Sequence, residues 1–188
     1  MSEVGLLLQV LGGVPYLAGF EMMVKVEAAA GLAPDPVQRL GGLAVAVAED
    51  AERLSERLRL SNSEQARLAA MGAHWRRFSP AAGEKAARAL LYELKPQSYT
   101  DCALLAWARA QTSAHDQAWR EFVLLPQRWT APALPIRAAD FIARGMTPGP
   151  ALGEALRAAE QAWIAADFPL EQASLDSITD AAVESRQG

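Results

Sequence analysis

The sequence contains one cysteine, Cys102, and two histidines, His74 and His115. A lone cysteine excludes an internal disulfide framework and a cysteine-rich zinc site. Two histidines leave too few ligands for a histidine-based metal centre. No uninterrupted apolar run reaches the roughly 18 residues of a membrane span, so no membrane partner is expected. The opening stretch MSEVGLLLQVLGG is acidic and lacks the basic first region of a secretory signal, and the expected compartment is the reducing cytoplasm. β-branched runs are nearly absent and no Asn-Gly joins alternating apolar segments, so nothing points to a sheet. There is no Gly-rich phosphate loop, no GxSxG and no HExxH. An excess of one charge sign is missing too: 18 Lys and Arg face 22 Asp and Glu, a net of −4.

What is present is material for a helical core. The 188 residues are 51% hydrophobic and 21% charged, which excludes wholesale disorder. The length suits one domain or two small ones, and such a chain buries roughly 70% of its unfolded surface. Alanine and leucine dominate. Leu152, Leu156, Ala159 and Trp163 fall on one helix face, as do Leu54 with Leu58 and Leu68 with Met71. Asp35-Pro36, Ser79-Pro80 and Thr147-Pro148 pair a capping residue with a proline at the first helical position. Ser61 to Glu64 has capping-box spacing, and Ser113 precedes His115-Asp116 as a further cap. These signals predict an all-α fold of about eight to ten helices. Breaks fall at 31–36, 78–80, 95–98, 126–135 and 145–150. The longest, Pro126 to Pro135, divides an expected helical body, residues 1–130, from a smaller helical tail, residues 131–188. The polar end, from about Asp176, is expected to fray. Leu6, Leu7, Leu8 and Val10 are expected to cover core, or to expose surface to a partner.

Two near-misses stand where chemistry might be sought. His115-Asp116 has the form of a metal-binding His-Asp pair, but its partners are lacking, and it reads as a solvated first-turn pair. Glu49, Asp50 and Glu52 diverge around a helix and read as an acidic first turn. No Asp-x-Asp occurs, and no catalytic or metal-binding residue is assigned.

Charge is unevenly distributed. Residues 1–52 hold seven acids and two bases, net −5; residues 53–95 hold nine bases and four acids, net +5; the remainder is net −4. The basic third offers Arg57, Arg59, Arg67, Arg76, Arg77, Lys85 and Arg88 to phosphates, with Trp75 and Phe78 as stacking surfaces. Trp75, seven residues after Leu68, also reads as a core position.

Three ordered segments carry a resemblance. They are RLRLSNSEQARL (57–68), LPIRAADFIARG (134–145) and MTPGPALGEAL (146–156), the last followed by Trp163-Ile164 and Phe168. Over roughly residues 1–170 the chain resembles the C-terminal, RNA-binding half of bacterial tRNA nucleotidyltransferases and poly(A) polymerases. Ala139 stands where the family usually has glycine. Glu49-Asp50-Ala51-Glu52-Arg53 spells the family's template pattern, but directly before residue 57 rather than far upstream, so no role is transferred to it. The catalytic head, with its Gly-Ser loop and Asp-x-Asp pair, is not encoded in these residues. The resemblance implies a part that grips tRNA, or another RNA 3′ end, and presents it to that head. The head would add C, C and A from CTP and ATP with Mg²⁺; the part alone would be inert and bind no cofactor. Thr147 and Gly149, at an exposed helix start, join the candidate RNA contacts. The alternatives are the same part of a poly(A) polymerase and a helical protein-interaction module.

Overall fold

The computed structural model describes residues 2–184, with side chains from residue 5 onward. Among the described residues there are eleven α-helices and no strand, an all-α, multi-helical fold. The chain divides into two compact units, Met1–Thr130 and Ala131–Gly188.

The larger unit contains α1 (Ser2–Leu11), α2 (Leu17–Ala29), α3 (Pro36–Ala44), α4 (Glu49–Leu58), α5 (Asn62–His74), α6 (Gly83–Arg109), α7 (Gln117–Val123) and α8 (Leu125–Arg128). Two 3₁₀ turns, Trp75–Arg77 and Pro80–Ala82, lie between α5 and α6. The organising element is the second half of α6. Tyr99 and every residue from Asp101 to Ala108 are buried there, and a helix apolar on nearly all sides belongs inside a bundle. α2, α3, α5, α7 and α8 pack around it. Pro96 removes a helical donor, and Lys95 before it leaves the helix at φ 66°, so α6 is broken at that point. Beyond the break, Phe78, Tyr99 and Phe122 stack with centroids 5.2–6.0 Å apart, and the Tyr99 hydroxyl donates to Phe122 O at 3.0 Å. Glycine permits one very close approach: a Cβ on Gly72 of α5 would stand 2.3 Å from Val47 O.

Two starts form where expected. Asp35 Oδ1 accepts from the Val37 and Gln38 amides at 2.8 and 3.2 Å, and Ser61 with Glu64 closes a capping box. Two others move. Asp116, not Ser113, caps α7 through the Ala118 and Trp119 amides; an ionised carboxylate is the stronger acceptor there. Ser79 caps nothing by its side chain and begins only a short 3₁₀ turn. On α1 just Leu7 and Leu11 turn to the core, whereas Leu6, Leu8 and Val10 are exposed. The expectation that the whole stretch covers core therefore fails, because a single helix face meets the bundle.

The smaller unit contains α9 (Ala138–Ile142), α10 (Pro150–Ala165) and α11 (Gln172–Glu184). Phe141 and Trp163 are fully buried, and Phe168 meets Trp163 edge-on at 4.9 Å. Gly145, at φ 91°, turns the chain out of the α9 segment. The start of α10 falls later than Thr147: Gly149 is the flanking residue and Pro150 the first helical one. Fraying from about Asp176 is not observed. α11 continues to Glu184, burying Leu175, Thr179, Ala182 and Val183, while Arg144 holds Asp176 at 2.9 Å and Asp180 at 2.5 Å. Packing and that ion pair order the segment despite its polar composition. Residues 185–188 lie outside the described residues.

Candidate nucleic-acid interface

Helix ends and carboxylates already hold much of the basic third. Arg67 of α5 reaches across the bundle, donating through Nε to Asp101 at 2.7 Å and through Nη2 to Asp35 at 2.7 Å. Its hydrogen bonds to Asp101 and Asp35 keep its pKa above the ordinary arginine value. Asp101 is fully buried and also accepts from Gln38 and Gln97, each at 2.9 Å. Next to this lies Glu27, 1% exposed, which accepts from the Asp35 amide and from Arg39. These side chains tie α2, α3, α5 and α6 together. Arg67 is thus a structural cation, since a phosphate would have to displace buried partners.

Arg77 forms a fork on Glu93, at 2.7 and 2.5 Å, which lowers the Glu93 pKa and raises its own. Arg88 pairs with Glu84 at 2.7 Å, and Arg128 reaches the same carboxylate at 3.1 Å. Three of the expected phosphate contacts are therefore neutralised within the protein.

The others face outward. Arg57 is exposed at the end of α4 and donates to Gln9 O at 3.3 Å. Arg59 takes the left-handed position that ends α4, at φ 55°, and is exposed. Lys85 is exposed at the start of α6. Neither Arg59 nor Lys85 makes an ion pair among the described residues. Arg76 is exposed, donates to Ala46 O at 3.1 Å and lies over the Trp75 ring at 4.5 Å. Thr147 and Gly149, in the smaller unit, are exposed, and a Cβ at Gly149 or Gly153 would meet nothing within 4 Å. Those glycines are therefore not demanded by a protein neighbour.

Trp75 is half-buried: its indole Nε1 donates to Ala46 O at 3.0 Å, while its ring is shared with two guanidinium groups. Phe78 is core and offers no stacking surface. Sequence reasoning did not single out Arg109 or Tyr16. The Arg109 guanidinium lies 5.0 Å from the centroids of both Tyr16 and Trp75. The one sequence signal was an arginine ending the apolar run LLAWAR.

The near-misses resolve as structural residues. Asp116 is a helix cap that also accepts from Thr112 Oγ1 at 2.8 Å. Asp50 accepts from the Ala46 and Val47 amides and pairs with Arg53 at 2.5 Å. Within the EDAER segment Asp50 and Arg53 thus form a local brace at the start of α4. Among the described residues no group of three His, Cys, Asp or Glu is placed to hold a metal, and no helix is long and apolar enough to cross a membrane.

No protein-family model matches the chain. The chain is similar to the uncharacterized 28 kDa protein of the petA 5′ region in Rhodospirillum rubrum, with 39% identity over 87 residues. The match covers 42% of this chain and 32% of that protein, so it spans about a third of the relative's length.

Proposed function

We propose that this chain is the RNA-gripping C-terminal part of a tRNA nucleotidyltransferase, whose catalytic head is not encoded in these residues. The carrying observation is the ordered set of signature segments at 57–68, 134–145 and 146–156. Two features support it. Arg57 and Arg59 stand exposed where α4 turns into α5, and the turn before α10 presents Thr147 and Gly149 to solvent with open space around the glycines. On this reading the cytoplasmic part holds the tRNA body, while a head carrying Mg²⁺ with CTP and ATP adds the 3′ nucleotides. The same part of a poly(A) polymerase would look alike, because nucleotide choice resides in the head.

The test is titration of labelled tRNA with the purified chain at low and moderate salt. Salt-sensitive binding that favours tRNA over duplex DNA is expected, because each phosphate contact releases counterions. Combined Arg57→Ala and Arg59→Ala should weaken it. Turnover of CTP or ATP by the chain alone would refute the assignment of chemistry to a separate head.

A second reading, a helical protein-interaction module, has its own observation. Leu6, Leu8, Val10, Val14 and Leu17 are all exposed on or beside α1 and the start of α2. Surfaces of that kind mark partner contacts. Absence of RNA binding at low salt would favour it.

A further inference from the structure

The carbonyl end of α3 gathers more positive charge than it neutralises. Arg53 Nη2 donates to Ala44 O at 3.4 Å, Arg109 Nη2 donates to Val45 O, and Arg76 Nη1 donates to Ala46 O at 3.1 Å. Cations are drawn to such an end because its last carbonyls lack helical partners. One carboxylate, Asp50, is engaged here, and it is bound to Arg53 and to two amides. Arg76 and Arg109 form no ion pair among the described residues. Arg109 is half-buried, and burial lowers its pKa. Asp50 acts on Arg109 through space without pairing with it, and a partly desolvated cation with no direct ion pair favours an incoming anion. A guanidinium carries five N–H donors, so the carbonyl bonds leave donors for phosphate oxygens. Aromatic rings interleave with these cations: Arg109 lies against both Tyr16 and Trp75, and Arg76 lies over Trp75. Tyr16 is 44% exposed.

We infer that Tyr16, Trp75, Arg76 and Arg109 form a seat for one unpaired RNA nucleotide, with its phosphate on the two guanidinium groups and its base against the exposed Tyr16 ring. The inference rests on the RNA-binding reading above and assigns it a specific contact. Aromatic faces take any base, so the seat tolerates sequence while preferring single strands. Among the described residues the other exposed cations lack this combination of two guanidinium groups on shared rings.

The test uses the full chain, tRNA and a uridine decamer carrying one 4-thiouridine, titrated at about 50 and 200 mM salt. Photocrosslinks to the decamer, mapped by mass spectrometry, are expected on Tyr16 or Trp75. Arg76→Gln should weaken the decamer and reduce the log–log salt slope by about 0.7, the value for one single-strand phosphate. Tyr16→Ala should weaken it about fivefold or more, the loss of one stacked base. Circular dichroism melting should confirm that both variants fold. Arg109→Gln would also remove a helix cap, so the test does not depend on it. If tRNA binds but crosslinks fall elsewhere and both variants bind as the parent does, the seat is refuted and the RNA-binding reading survives. If neither RNA binds at low salt, both fall together.

Discussion

Replacing Asp101 by asparagine tests whether the buried network holds the larger unit together. The carboxylate has no exposed surface and receives four donors: Arg67 Nε and Nη2 at 2.7 and 2.8 Å, and the Gln38 and Gln97 amides at 2.9 Å. Asparagine keeps the shape but has one acceptor oxygen. Whichever way its amide turns, its NH₂ faces at least one of these donors. Removing one member of a buried ion pair costs about 3–5 kcal/mol. Arg67 keeps Asp35 and its side chain is 22% exposed, which lowers that figure. The donor left without an acceptor adds back about 1–3 kcal/mol. The expected loss is about 3–4 kcal/mol, which lowers the melting temperature of a unit this size by roughly 10 °C. Differential scanning calorimetry, read on the transition of the larger unit, gives the shift. A cycle with Arg67→Met should be strongly non-additive, because either single change already breaks the same contacts. A loss below about 1 kcal/mol, or additive effects, would refute the claim that this network organises the bundle.

Other consequences are independent of it. Gly72→Ala should destabilise by about 1–3 kcal/mol in urea denaturation, since its Cβ would strike the Val47 carbonyl backbone at 2.3 Å. Gly41→Ala should cost less, because the nearest atom there is the flexible Met71 Cε. Burial alone would raise the Asp35 and Asp50 pKa values, but amide and arginine hydrogen bonds outweigh it and hold both below the ordinary 3.8. Their contribution to stability is therefore present above that value and lost as pH falls through the depressed values. Thermal melts should show a decline below about pH 4 that Asp35→Asn flattens. Burial, with the Asp101 charge adding to it, pushes the Cys102 thiol up to about 12. At pH 8 a thiol reagent should leave the native chain untouched and react with one equivalent after denaturation; fast native labelling would contradict the packing of Sγ against Ala70 O at 3.3 Å.

The amino-acid sequence by itself determined the helical class and those features that depend on near neighbours. The spacing of Leu152, Ala159 and Trp163 becomes a buried face, and Asp35 and Ser61 cap their helices, because their partners lie two or three residues away. Even local choices were close contests: Asp116 displaces Ser113 as the α7 cap, and Gly149 rather than Thr147 flanks α10. The tertiary structure alone decided the fate of the arginines. Arg67 reads as a surface cation until α6 brings Asp101, 34 residues away, against it, and Arg77 until Glu93, 16 residues on, comes beside it. In the same way Arg109 meets Val45 across 64 residues and joins Tyr16 and Trp75 in one cluster. Charge is a property of composition. Whether a charge is neutralised depends on which helices pack together, and no local pattern in the sequence reports that.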